Sequence, residues 1–164
     1  MNRTASMGLF SAVAIILGYV ETLLPVFTGI PGVKLGLANL VVVFLLYTFS
    51  WKEAAVVSVI RIIVIGFLFG NLFSILFSLA GAGFSLAVMT GIKKISGMSI
   101  VGASIAGGVT HNLGQILVAS VVLENKNLLL YYFPVLLIAG LITGFLIGLL
   151  SAEILKRTAG RNRL

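Results

Sequence analysis

The sequence predicts an all-α integral membrane protein, a single domain over residues 1–164 built from six transmembrane helices with both termini cytoplasmic. Three observations predict it. Hydrophobic residues make up 60% of the chain and charged residues 9%, too little polar surface to cover a soluble globule. The apolar residues fall into runs of membrane-crossing length, broken by Gly, Pro and charge. The basic residues occur in short clusters between those runs, which fits membrane topology better than nucleic acid despite a formal net charge of +7. The bilayer is therefore the first partner expected. No cysteine is present, which excludes disulfides and thiolate metal sites.

The expected helices are 6–24, 35–50, 54–69, 71–92, 98–123 and 132–155. The first follows Arg3, as a signal peptide would, but "GLFSAVAIILGYVETLLP" ends without a small-residue cleavage site and reads as a span. Pro25 ends it, and "PVFTGIPGVKLG" (25–36) forms an outside Gly/Pro loop, read as a lid over a pocket or a tight turn. The second and third spans are short, and neighbouring helices rather than lipid can shield them. Only "FGN" separates the third from the fourth, so the count of six turns on a break at Gly70. The sixth carries Gly140, Gly144 and Gly148 at intervals of four, either close packing within the bundle or a stripe for a partner subunit. Gly8/Ala12, Ala14/Gly18 and Ala103/Gly107 repeat that spacing elsewhere.

Orientation follows from Lys and Arg. With the N-terminus cytoplasmic, inside segments hold Arg3, Lys52, Lys93, Lys94, Lys156, Arg157, Arg161 and Arg163, and outside loops hold Lys34 and Lys126. The eleventh basic residue, Arg61, is left inside a span near the midplane, where an unpaired guanidinium is costly. It either pairs structurally, with Glu21 or helix-end carbonyls, or contacts an anionic substrate.

Polar residues in the spans then acquire a depth. At 1.5 Å per residue, His111 lies roughly 20 Å above the cytoplasmic edge and Gln115 about 6 Å higher. Glu21, Asn39 and Asn71 fall toward the same outer side, and Lys34, Tyr131 and Tyr132 in or near outside loops. His111 and Gln115, at i and i+4, share one helix face and can point into one cavity. Asn112 is offset by about 100° and is expected to bond a neighbouring helix. Two readings stay open: an outward-facing site for a small molecule, or interhelical hydrogen bonds without a ligand. In the first, His111 and Gln115 supply hydrogen bonds, Lys34 supplies charge and Tyr131 or Tyr132 stacks on a ring.

The missing chemistry narrows the function. The chain has no Asp, so it lacks the aspartate-rich Mg²⁺–diphosphate motif of prenyl-chain synthases and a paired-carboxylate hydrolytic site. One His without Cys or adjacent carboxylates makes no standard metal site, and no phosphate-binding Gly-x-x-x-x-Gly-Lys-Ser/Thr loop is present. A non-enzymatic protein without cofactor or metal is expected, and any ATP-driven transport needs a partner.

"PGVKLGLANLVVVFLLY", "FGNLFSILFSLAGAGFSLAVM", "IVGASIAGGVTHNLGQILVASVV" and "LLYYFPVLLIAGLITGFLIGLL" together resemble the bacterial Gx transporter family, also labelled heptaprenyl diphosphate synthase component I, over nearly all of residues 7–152. The resemblance implies a six-helix fold similar to the S components of energy-coupling factor (ECF) importers, in a bacterial cytoplasmic membrane. Such a subunit captures a vitamin or related compound outside, then joins a membrane coupling protein and two ATPases. S components meet the coupling protein through an Ala-x-x-x-Ala stripe on the first helix, whose nearest equivalents here are Gly8/Ala12 and Ala14/Gly18. Carrying the family pattern across points to Lys34, Asn39, His111, Asn112 and Gln115 as binding residues. It also implies an alternative, a non-catalytic accessory subunit of prenyl-diphosphate or quinone metabolism, or of flavin-based extracellular electron transfer.

Overall fold

A computed structural model describes residues 3–24, 35–125 and 127–161. The described residues form helices and no strands: α1 (Arg3–Leu23), α2 (Leu37–Thr48), α3 (Trp51–Phe69), α4 (Leu72–Lys93), α5 (Ile100–Val122), α6 (Asn127–Tyr131) and α7 (Phe133–Arg161). Four of them, α1, α4, α5 and the stretch Phe133–Thr158 of α7, are long and apolar enough to cross a membrane. Large side chains such as Leu9, Ile16, Phe67, Leu72 and Ile142 stand exposed on the outside of the bundle, the surface that lipid rather than water would cover.

Local sequence sets the breaks. Ser50 caps α3 by accepting from the Lys52 amide at 3.3 Å. Asn71 and Ser74 form a reciprocal capping box at the start of α4, with bonds of 2.8 and 3.0 Å, so the "FGN" junction is a true helix boundary after Gly70. Ser99 caps α5 more simply, accepting from the Gly102 amide at 3.0 Å. Gly36, with φ at 78°, makes the left-handed turn that admits the chain to α2.

The helices differ from expectation mainly at their ends. Helix α1 begins at Arg3 and α7 continues to Arg161, because backbone hydrogen bonding does not stop where apolar composition does. The 12-residue α2 is the shorter surprise: at 1.5 Å per residue it spans about 18 Å. It survives by burial. Val41, Val42, Val43, Leu45 and Leu46 form half of the buried core cluster, with Ala14 of α1, Ala54 and Val57 of α3, Met89 of α4 and Ile147 of α7.

Two groups of three helices make the architecture. Helices α1, α2 and α3 pack on one another, α5 packs most extensively against α4 and α7, and α3–α4 and α2–α7 contacts join the groups. The α5–α7 seam is glycine on glycine. A Cβ at Gly108 would lie 2.5 Å from the Gly140 carbonyl oxygen, and one at Gly144 would lie 2.8 Å from Ile105 Cα. The stripe Gly140, Gly144 and Gly148 therefore packs within the bundle, where backbones touch.

Helices α1 and α3 run parallel. Arg3 at the start of α1 pairs with Glu53 at the start of α3, and the Tyr19 and Phe69 rings meet near their far ends with centroids 4.9 Å apart. At the Arg3 end, Glu53 also accepts from the Ser50 hydroxyl, and Lys93 donates to the Leu46 carbonyl at 2.5 Å with its ammonium over the Tyr47 ring.

Candidate functional site

At the other end of α1 and α3, between the two helix groups, lies a cavity of about 290 Å³. Glu21, Asn39, Arg61, His111, Asn112 and Gln115 all line it. Five helices contribute these polar groups and their neighbours: α1, α2, α3, α5 and, through Ser74 and Ser78, α4; Thr143 adds the sixth, α7.

Each side chain is placed by an identifiable local cause. Glu21, in the last turn of α1, accepts from the Gly36 amide, so the carboxylate ties the end of α1 to the start of α2. One turn further, Asn39 accepts from Arg61 Nη2 at 3.4 Å. Arg61 reaches that level along Gly18 of α1, where a Cβ would sit 3.8 Å from Arg61 Cδ. His111 and Gln115 present one face of α5 to the cavity, and the bare backbone of Gly81 on α4 lets that face approach. A Cβ there would lie 2.9 Å from Gln115 Cγ and 3.0 Å from His111 Nε2. Asn112 turns toward α7 and donates through Nδ2 to the Leu136 carbonyl at 2.7 Å, the interhelical bond its angular offset suggests.

Arg61 is the unusual group. Its one hydrogen bond among the described residues is the long contact to Asn39. Its Nε is shut off from solvent and has no partner there. The carboxylate of Glu21 shares the cavity, but no ion pair within 4.0 Å joins the two among the described residues, where the pairs are Arg3–Glu53 and Arg157–Glu153. The expected alternative of a direct Glu21–Arg61 bridge is thus replaced by two separate attachments to α2 and its approach.

Other expectations need correction. Tyr131 does not line the cavity: the connection before α7 coils into the short α6, which leaves Tyr131 77% exposed. Tyr132, half-buried, is also absent from the lining. Ala14 is fully buried and Gly18 lines the cavity. Neither is available to a partner subunit, because that face of α1 packs on α2 and α3. Gly8 and Ala12 remain exposed. Lys34 and the lid reading of the 25–36 loop fall largely outside the described residues. Among the described residues no cluster of His, Cys, Asp or Glu can hold a metal ion.

Sequence reasoning missed Ser74, Ser78, Thr143 and Gly36. The signal for the first two was their spacing of four, one face of α4; hydroxyls in apolar helices otherwise pass unnoticed because they bond their own backbone, as Thr143 does to the Ala139 carbonyl at 2.9 Å.

Comparison with known proteins adds one finding. The family model described as heptaprenyl diphosphate synthase component I matches residues 10–154. No curated protein and no solved structure gives a match.

Proposed function

The chain belongs to the heptaprenyl diphosphate synthase component I family, and from that premise we propose that it is a substrate-binding membrane subunit, ECF S-component-like, that captures a small metabolite for import. In this reading α1, α2, α3, α4, α5 and α7 are the six spans, both termini are cytoplasmic, and the cavity opens toward the outer side of a bacterial cytoplasmic membrane. A membrane coupling protein and ATPase subunits supply the energy.

The observation that carries the reading is the convergence of ten polar side chains on one cavity in a chain that is 60% hydrophobic. Polar groups at membrane depth are costly, and where they gather around a cavity they mark a binding path. The distribution of charge supports the orientation: Arg3, Lys52, Lys93, Lys94, Lys156 and Arg157 lie toward the end opposite the cavity. Absence of a nucleotide-binding motif in the sequence fits a subunit that depends on others.

The family's description favours a second reading, a non-catalytic membrane accessory subunit of prenyl-diphosphate or quinone metabolism or of flavin-based electron transfer. Partners separate the two. Purification from the native host in mild detergent, followed by mass spectrometry of proteins and small molecules, should recover a coupling protein with ATPases and a retained metabolite. Recovery with a prenyl synthase or flavoprotein and no ATPase supports the second reading instead. In the same assay His111→Ala/Gln115→Ala is expected to lower the retained metabolite at least tenfold while the protein stays folded; retention at the wild-type level removes these residues from the site.

A further inference from the structure

We propose that the cavity takes a small monocarboxylate and that the guanidinium of Arg61 receives its carboxylate. This deepens, and rests on, the reading of the cavity as a binding site.

The guanidinium is permanently charged and carries five N–H donors in a planar fork. The protein engages it through one long hydrogen bond, to Asn39 at 3.4 Å, and leaves Nε unpartnered among the described residues. A cation held in an apolar bundle with so few bonds is expensive to keep. A ligand oxyanion meets that cost with short, charge-assisted, bidentate bonds. Asn39 then acts as a positioning residue, setting the guanidinium orientation from α2.

Charge selects among oxyanions. Glu21 lines the same cavity, and its carboxylate is fixed by the Gly36 amide. A phosphate monoester brings close to two negative charges at neutral pH, and Glu21 opposes the second. A carboxylate brings one. Size restricts the remainder of the molecule: about 290 Å³ is at the small end of ligand pockets, roughly 300–1,000 Å³, so a long prenyl chain does not fit inside. Chemistry restricts it further, because His111, Gln115, Ser78 and Thr143 line the rest of the space with hydrogen-bonding groups. The complement is a compact carboxylate with a polar far end.

The test is thermal unfolding of the purified full-length protein in detergent and sodium chloride, with lactate, lactamide and inorganic phosphate as probes. Lactate should raise the unfolding temperature of the wild type, whereas lactamide, the same skeleton without the charge, and phosphate should not. Arg61→Lys keeps the charge but loses the fork, and is expected to fold and to need about tenfold more lactate for the same shift; Arg61→Gln should abolish the shift. No response of the wild type to lactate, an equal response to lactamide, a response to phosphate instead, or an undiminished response in Arg61→Lys each overturns the proposal. Host purification separates its failure from that of the binding reading. A retained metabolite without a carboxylate overturns the proposal alone, and a chain that retains no metabolite and recruits no ATPase overturns both.

Discussion

The parallel pair α1 and α3 carries two Arg and Glu sets, one at its Arg3 end and one between the middle of α3 and the last turn of α1, with opposite outcomes. At one end Arg3 of α1 reaches Glu53 of α3 directly, and Ser50 adds a second bond to the same carboxylate. At the other, Glu21 of α1 and Arg61 of α3 are not directly bridged: the carboxylate goes to the Gly36 amide and the guanidinium to Asn39. Level along the helices differs as well: Arg3 and Glu53 both stand in first turns, whereas Arg61 is mid-helix in α3 and Glu21 is in the last turn of α1. Both Glu21 and Arg61 also line the cavity. On the proposed reading, the paired end stabilises the fold, and the separated set keeps two charges addressable by a ligand.

The strongest way to break this contrast is to remove both cavity charges. Arg61→Met/Glu21→Gln should weaken capture of the retained metabolite on the order of 100-fold or more, the usual scale for truncating one side of a buried charged contact. Thermal stability of the metabolite-free protein should stay level or rise, because replacing buried charges with well-packed neutral groups is often neutral or stabilising. The two readouts moving in opposite directions would mark these residues as retained for binding. A large fall in unfolding temperature with capture intact would make the cavity end structural, like the other.

A smaller effect of the opposite kind is expected from Arg3→Gln. Glu53 is only 6% exposed, and losing the guanidinium removes one of the two hydrogen bonds seen at its carboxylate among the described residues, leaving that from Ser50. Leaving a buried polar group under-satisfied costs about 1–3 kcal/mol, and the solvent exposure of Arg3, 73% at its side chain, places the loss near the low end. Unfolding in detergent should show it while metabolite capture does not change. Equal damage to capture would mean that the two ends are coupled through α1 and α3.

This contrast was only half legible in the sequence. Polarity inside an apolar run is visible at once, so Glu21, Asn39, Arg61, His111, Asn112 and Gln115 could each be singled out, and the spacing of four between His111 and Gln115 fixed a shared face. Which neighbour each one meets is a tertiary fact. The sequence left Arg61 open between a bridge to Glu21 and a ligand, and nothing local says that Asn39 on α2 lies within its reach. Glycine carried more than its period revealed: Gly81, in a run with no polar residue beside it, decides how closely the His111 face approaches α4. Tyr131 misled for the opposite reason, since a loop that coils into one helical turn redirects its side chains, and five residues are too few to read that from periodicity. The caps at Ser50, Asn71 and Ser99 were all written in the sequence as residues that favour helix starts, and the first two mark where the long apolar stretch from 35 to 93 separates into three helices.

The smallest expected effect sharpens the paired end most finely. Ser50 has two roles there: its oxygen caps α3 at the Lys52 amide, 3.3 Å away, and its hydroxyl donates to Glu53. Ser50→Ala removes both, yet Arg3 still answers the carboxylate, so the cost should be that of a lost cap, about 0.5–1 kcal/mol. Ser50→Asp restores a capping acceptor but sets a second carboxylate against Glu53. If capping dominates, this variant should recover stability over Ala; if the bond to Glu53 dominates, it should be less stable than Ala, because two acceptors then compete for Arg3. Unfolding midpoints of the two variants, each made also in the Arg3→Gln background, decide between these. The prediction from the geometry is that Asp is the worse of the two, and more so without Arg3, since the 3.3 Å cap is long and the carboxylate it would face is buried.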